Sequence, residues 1–422
     1  MFPRYNTPLA PLVTFAMLVG TLVFSVSAAG AAPLTLTECF SLAEGYSKPL
    51  AIQKERFEQA RQLVNQAAGD RLPFVAVGLS RDYRESVGNA GEEGTSSRLS
   101  VTQRLFSGFR TRESLSAARS RSVQEELSFC TIKRTLFADV SRSFYDVAQQ
   151  DAEVKNVSEI IFLMEERIRE LKERVRLGKS RESEVLAVQS QTAQLRAQLD
   201  KINGDRANAL ESLSLLIGRG ADAIQISDER TVAAAQPVDV YLQSALQRSD
   251  IRAAQEEVAA RKSGVTFVKG ARLPSLNFDG NWYLSRSGTL SGADWGALLS
   301  LTMPIYQGGV LHAKVKEEEY RLREAQESEE QLKRITAAGM RKLYNDYTAA
   351  AAQAASYNEA YERSSESYRL QLRDYRLGLV SNMEVLQALL AMFDTKRNQA
   401  RMDLQIQLNK VLLEIAAEMG KQ

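Results

Sequence analysis

Arg376-Leu377-Gly378-Leu379-Val380-Ser381-Asn382-Met383-Glu384-Val385-Leu386 decides how this chain is read, because about two hundred residues earlier stands Arg176-Leu177-Gly178-Lys179-Ser180-Arg181-Glu182-Ser183-Glu184-Val185-Leu186. The shared Arg-Leu-Gly and Glu-Val-Leu fix the offset. At that offset Leu105-Phe106-Ser107-Gly108 meets Ile305-Tyr306-Gln307-Gly308, and one residue out of step Leu72-Pro73 meets Leu273-Pro274. A period this long excludes short solenoid repeats and predicts a duplicated domain whose halves pack with pseudo-symmetry. Gly178 and Gly378 each fall between two helical patterns, where glycine permits the left-handed backbone that ends a helix. Ser180 and Ser381 follow as candidate caps of the next helix.

Outward from these turns, apolar residues recur at three, four and seven. Leu127, Cys130, Phe137, Val140, Phe144, Val147, Val154, Ile161, Met164, Ile168, Leu171 and Val175 form a coiled-coil seam, with Cys130 as one of its core positions. The second copy of this face carries Leu332, Ile335, Ala350, Ala354, Tyr357, Tyr361, Tyr368 and Tyr375. The pattern predicts a long helix over 110–176 and another over 310–376, each roughly 100 Å at ~1.5 Å per residue. Shorter helices over 179–218 and 379–419 return from them. Opening helices, Leu36–Gly69 and Val238–Lys269, preceded by Pro33 and Pro237, would stack end to end on the return helices and complete a second layer. The first repeat is thus 32–220, a linker occupies 221–237, and the second repeat is 238–422.

Between opener and long helix, the period changes to two. Val75, Val77 and Leu79 precede Arg81-Asp82-Tyr83, and Leu99, Val101 and Leu105 alternate with Arg98, Ser100, Thr102 and Arg104. Leu276, Phe278, Trp282 and Leu284, then Ala297, Leu299, Leu301, Met303 and Ile305, repeat the pattern. Strands are predicted over 73–84, 98–106, 274–285 and 296–306, about ten residues each, as a tilted membrane-spanning strand requires. Gly/Ser-rich loops, Glu85–Ser97 and Arg286–Asp294, would be the hairpin tips. Tyr83, Trp282, Tyr283 and Trp295 are candidates for an interfacial aromatic belt. Four strands cannot close a barrel, and open edges do not exist in lipid, so several copies must share one sheet. Three copies give twelve strands around a lumen and, below them, twelve helices around a hollow cylinder.

Composition narrows the function. The 422 residues are 25% charged with a formal net charge of +2, and the balance argues against a nucleic-acid partner. One histidine, His312, and two cysteines, Cys39 and Cys130, leave no zinc site or His-based triad, and no Gly-rich phosphate loop with the Lys-Ser/Thr signature is present. No catalytic, cofactor-binding or metal-binding set emerges, so the chain reads as a non-enzyme. Residues 1–31 have the layout of a secretory signal: Arg4, an apolar run from Leu9 to Val26, then Ser27-Ala28-Ala29-Gly30-Ala31.

The duplicated helix-strand-strand-helix-helix order, the Leu-Pro before each first strand, Pro304-Ile305-Tyr306-Gln307-Gly308-Gly309 and the turns at Gly178 and Gly378 resemble the TolC family of outer-membrane efflux and secretion channels. The resemblance covers essentially the whole mature chain. It implies a homotrimer in the outer membrane of a Gram-negative bacterium, lipid around its barrel and a tunnel crossing the periplasm. It also implies a periplasmic adaptor (membrane fusion) protein bound at the helix tips and an RND, ABC or MFS pump in the inner membrane, for efflux or type I secretion. The adaptor-contacting residues would be Arg176, Leu177, Gly178, Ser180, Arg376, Leu377, Gly378 and Ser381. Tyr375 falls on the family's gating tyrosine, Glu184 on its acidic partner and Glu384 on a lumen-facing acidic ring. Two positions depart: Val380 stands where the family has a gating arginine, and Gln387 where it has a second acidic ring. Three Glu384 side chains around a narrow axis would favour cations at the mouth. The competing reading is an exported coiled-coil scaffold whose strands form a soluble hairpin domain. An adaptor is disfavoured, since adaptors set one hairpin among several small β domains.

Overall fold

A computed structural model describes residues 33–86, 89–227, 234–287 and 294–419. The chain clusters into Met1–Ala32 and Pro33–Gln422, and all described residues belong to the second unit. The signal segment read at 1–31, part of the linker and most of the second hairpin loop lie outside the described residues.

The long seams form the helices α3 (Arg110–Arg176) and α7 (Val310–Arg376), each of 67 residues. They return as α4 (Glu182–Ile217) and α8 (Asn382–Ala416). Val140, Phe144, Val147, Ile161, Met164 and Leu171 are buried along α3, so the seam read from the sequence faces the core. Cys130 is only half-buried there, and Ile335 on α7 is exposed.

Each opener is two helices rather than one. The first breaks into α1 (Leu36–Tyr46) and α2 (Lys48–Gly69), because Ser47 is extended and its hydroxyl caps Leu50, while Pro49 removes a donor from the first turn of α2. Thr35 and Glu38 close a reciprocal capping box at the start of α1. The second opener is α5 (Val238–Ala245) and α6 (Ser249–Gly270). Buried where these pieces meet, Arg134 of α3 donates to Asp250 at 3.0 Å and to Glu418 at 2.6 Å, and Arg248 holds Asp250 at 2.6 Å. Glu418 also accepts from the backbone N–H and hydroxyl of Ser249, tying the end of α8 to the start of α6.

The strands β1 (Phe74–Ser86), β2 (Asn89–Phe106), β3 (Ser275–Arg286) and β4 (Trp295–Thr302) form one antiparallel sheet in the order β1-β2-β3-β4. The segment read as the loop Glu85–Ser97 is mostly ladder: Ser86 pairs with Asn89 and Leu79 with Ser97. Hydroxyl pairs carry the sheet through it, Ser80 with Ser96 at 2.8 Å and Thr95 with Ser287 at 2.7 Å. β4 stops at Thr302, short of Ile305, because it is a sheet edge in this chain and Pro304 has no N–H to donate.

Candidate functional site

Both helix tips end by one device. In the first, the Lys179 N–H reaches the Arg174 carbonyl at 2.8 Å and the Gly178 N–H reaches Val175 at 2.9 Å; in the second, Leu379 reaches Asp374 at 2.9 Å and Gly378 reaches Tyr375 at 3.0 Å. These paired bonds require a left-handed residue, which Gly178 (φ 69°) and Gly378 (φ 76°) supply. The entries to the return helices differ. Ser381 caps α8 in a reciprocal box with Glu384, whereas Arg181 holds the cap position of α4 without a side-chain bond and Ser180 does not cap it. The copies are in frame here, so Ser180 matches Val380 and Ser381 matches Arg181. Ser180 instead donates to Glu184 at 2.7 Å.

Tyr375 is buried between the two helical hairpins. The Arg167 guanidinium lies 4.1 Å from the centre of its ring and that of Arg174 lies 4.4 Å away, so two cations of α3 flank one aromatic of α7. Arg167 is 9% exposed and donates through Nε to Oδ1 of the buried Asn382, the first residue of α8, at 2.8 Å. Its Nη1 donates to Glu170 at 2.6 Å, and Arg174 lies 3.6 Å from the same carboxylate. Its Nη2 is buried without a hydrogen-bond partner. One residue, Arg167, therefore bridges the α3/α4 hairpin to both helices of the α7/α8 hairpin.

Both acidic positions bond locally at the helix tips. Within one chain Glu184 bonds in its own turn and makes no hydrogen bond to Tyr375. Glu384 accepts from the Ser381 backbone N–H at 2.6 Å and from its hydroxyl at 2.9 Å, and these bonds hold its carboxyl below the usual range. The side chain is thus committed to the helix start, beside an exposed Gln387. Val380 packs partly buried against the cluster that contains Tyr375. At the surface, Leu177, Leu377 and Leu379 are exposed, Arg176 pairs with Glu173 at 2.9 Å, and Arg376 is exposed.

At the other end, Trp282 and Trp295 are register partners on the apolar face of the sheet, both exposed, with Tyr83 exposed further along β1. Tyr283 alternates to the opposite face, where the Arg286 guanidinium lies 3.4 Å from its ring centre. His312 is exposed near the start of α7, and no group of three or more potential metal ligands occurs among the described residues.

Sequence reasoning did not single out Arg167, Glu170, Arg174 or Asn382. A signal existed, since Arg167, Glu170 and Arg174 recur at three and four on one helical face that also carries the Leu171 seam.

A profile of the family described as outer membrane efflux protein matches residues 41–219 and 240–417. The outer membrane protein TolC of Escherichia coli is 21% identical over 390 residues, covering 85% of this chain and 77% of its own. Among solved structures, the outer membrane protein VceC of Vibrio cholerae superposes with a TM-score of 0.80 at 16% identity, covering 90% of this chain and 96% of its own. The CmeC outer membrane channel of Campylobacter jejuni does so with a TM-score of 0.74 at 17% identity, covering 98% and 94%.

Proposed function

This chain belongs to the outer membrane efflux protein family and is an outer-membrane efflux channel, and from that premise we propose how it closes and opens. Three protomers share a twelve-stranded barrel, and their long helices enclose a tunnel through the periplasm. The duct is passive. It takes its energy from an inner-membrane pump of the RND, ABC or MFS type and its opening signal from a periplasmic adaptor that docks on the tips at Arg176–Ser180 and Arg376–Ser381.

The gate is the contact between the two hairpins of each protomer, and the observation that carries it is the buried Tyr375 held between Arg167 and Arg174, with Arg167 anchored on Asn382. The family's arginine position is Val380 here, and the cation it would supply comes instead from α3. Flat guanidinium groups stack on an aromatic face and still donate in their own plane, so one Arg167 grips a ring and an amide together. Opening swings the α7/α8 hairpin outward and requires both grips to release. Glu184, Glu384 and Gln387 lie about this mouth, and Glu384 sets a local negative charge there that favours cations.

Loss of the grip leaves the duct ajar. Cells whose only such channel carries Arg167→Ala with Tyr375→Ala are expected to become sensitive to vancomycin, a glycopeptide too large and polar to cross an intact outer membrane, while the wild type protects them. Equal resistance at equal surface expression would contradict a gate at this contact.

A further inference from the structure

We propose that the foot of the sheet carries a site for the phosphate headgroup of an anionic phospholipid, gripped by Arg71, Arg104 and Arg112. The proposal rests on the reading above that the sheet lies in lipid and the long helices in the periplasm, which sets this end of the sheet at the headgroups of the periplasm-facing leaflet. The three arginines come from the turn after α2, the end of β2 and the first turn of α3, and they line one open cavity of about 430 Å³. All three are exposed. Among the described residues no carboxylate lines this cavity, and none of the three guanidinium groups makes an ion pair or a hydrogen bond. The neighbouring acids, Asp70 and Glu113, line a different groove, with Ala60 and Gly264. Three like charges gathered without a counter-charge repel one another and draw an anion. The helix start adds nothing to that pull, because the Thr111 N–H is bonded to the Ser107 hydroxyl at 3.2 Å and the Arg112 and Glu113 N–H groups to the Phe109 carbonyl at 3.0 Å.

The surroundings point to a lipid rather than a soluble anion. Beside the arginines, Leu72 and Phe74 are each 68% exposed, and Leu105 and Phe109 each 54%. Phe109 holds its ring there at φ 66°, a left-handed conformation that any bulky side chain disfavours, where its copy in the second repeat is Gly309 at φ 81°. Its ring meets that of Phe106 edge-on at 5.3 Å. The cavity also opens on the correct face. Gln103, which lines it and donates to the carbonyls of Arg71 and Arg104 at 3.1 and 3.2 Å, stands two residues after Val101 and opposite Phe278, on the apolar face of the sheet. Apolar rings and leucines for acyl chains, with cations at their edge for a phosphate, match an anionic lipid at the membrane surface. Duplication does not account for the triad. In the second repeat Arg71 is kept as Arg272, but Pro304 and His312 stand at the positions of Arg104 and Arg112, so each protomer carries one such site.

Native mass spectrometry of the detergent-purified channel tests this, with dioleoyl phosphatidylglycerol, dioleoyl phosphatidylcholine and inorganic phosphate titrated separately. The wild type should prefer phosphatidylglycerol to phosphatidylcholine. Arg71→Gln with Arg104→Gln and Arg112→Gln should weaken phosphatidylglycerol by on the order of a hundredfold, about fivefold for each arginine, and so remove the preference. Arg98→Gln, on the opposite face of β2, should leave it unchanged. Should the triple variant not assemble, Arg112→Gln alone, with its fivefold loss, decides the matter. Phe109→Gly keeps the charge and should weaken both lipids severalfold. Equal affinities in wild type and arginine variants, or no preference for phosphatidylglycerol, would overturn the site. Displacement of the lipid by inorganic phosphate at equal concentration, with Phe109→Gly behaving as wild type, would make it an oxyanion site for soluble ligands and overturn the lipid assignment. A water-soluble protein that binds neither lipid would overturn the channel reading itself.

Discussion

Arg167 shows why the gate was only half legible at the scale of single residues. Tyr375 and Glu184 were singled out only through the resemblance to the family, and an arginine on a charged helix face reads as a solvated residue until its burial is known. Glu384 shows the reverse. The resemblance implies a charge offered to the lumen, and Ser-x-x-Glu before an apolar run is also the signature of a capping box, which the carboxylate closes while keeping its charge. Cys39 yields a prediction at this scale. It is wholly buried, and burial pushes its thiol up to about 11. At pH 8 roughly one thiol in a thousand would be thiolate, so maleimide should label Cys39 on the order of a hundredfold more slowly in native than in urea-unfolded protein. Equal rates would show that the α1 core is not packed as described.

Among elements, those with a long unbroken period were read most fully. The seams of α3 and α7 run far enough that periodicity alone fixes their ends to the glycines. The openers read as continuous from the sequence, but Ser47-Lys48-Pro49 breaks the first, where the chain bends to bring α2 alongside α3. Hairpin strands were read short because Ser and Gly composition stands equally for loops and for the polar face of a ladder closed by hydroxyl pairs. The joint held by Arg134 belongs at this scale, since it fastens α3, α6 and the end of α8. Burial alone would raise the Asp250 carboxyl, but the Arg248 hydrogen bond and the charges of Arg134 and Arg248 bring it below its ordinary value. Its folded value being depressed, its contribution is full above about pH 4 and is lost as pH falls through the folded value. Arg134→Ala, which strands two partly buried carboxylates, should cost about 3 kcal/mol at pH 7 in urea unfolding, with the difference shrinking below about pH 4. A loss independent of pH would mean that Arg134 acts by packing alone.

For the whole molecule, duplication was the legible fact and closure the consequence. One chain presents a four-stranded sheet whose outer face carries Val75, Val77, Leu99, Trp282, Trp295, Leu299 and Leu301 in the open. Such an apolar band, with free edges, is stable only in lipid and only when closed. Cargo is written in neither sequence nor fold, because a passive duct selects through the proteins that feed it. The most direct test of the account is the single-channel current of purified protein in a planar bilayer. The wild type should give small, brief openings, and Arg167→Ala with Tyr375→Ala markedly larger and longer ones. No current from either protein, with both recovered as water-soluble oligomers, would contradict the account and favour a coiled-coil scaffold.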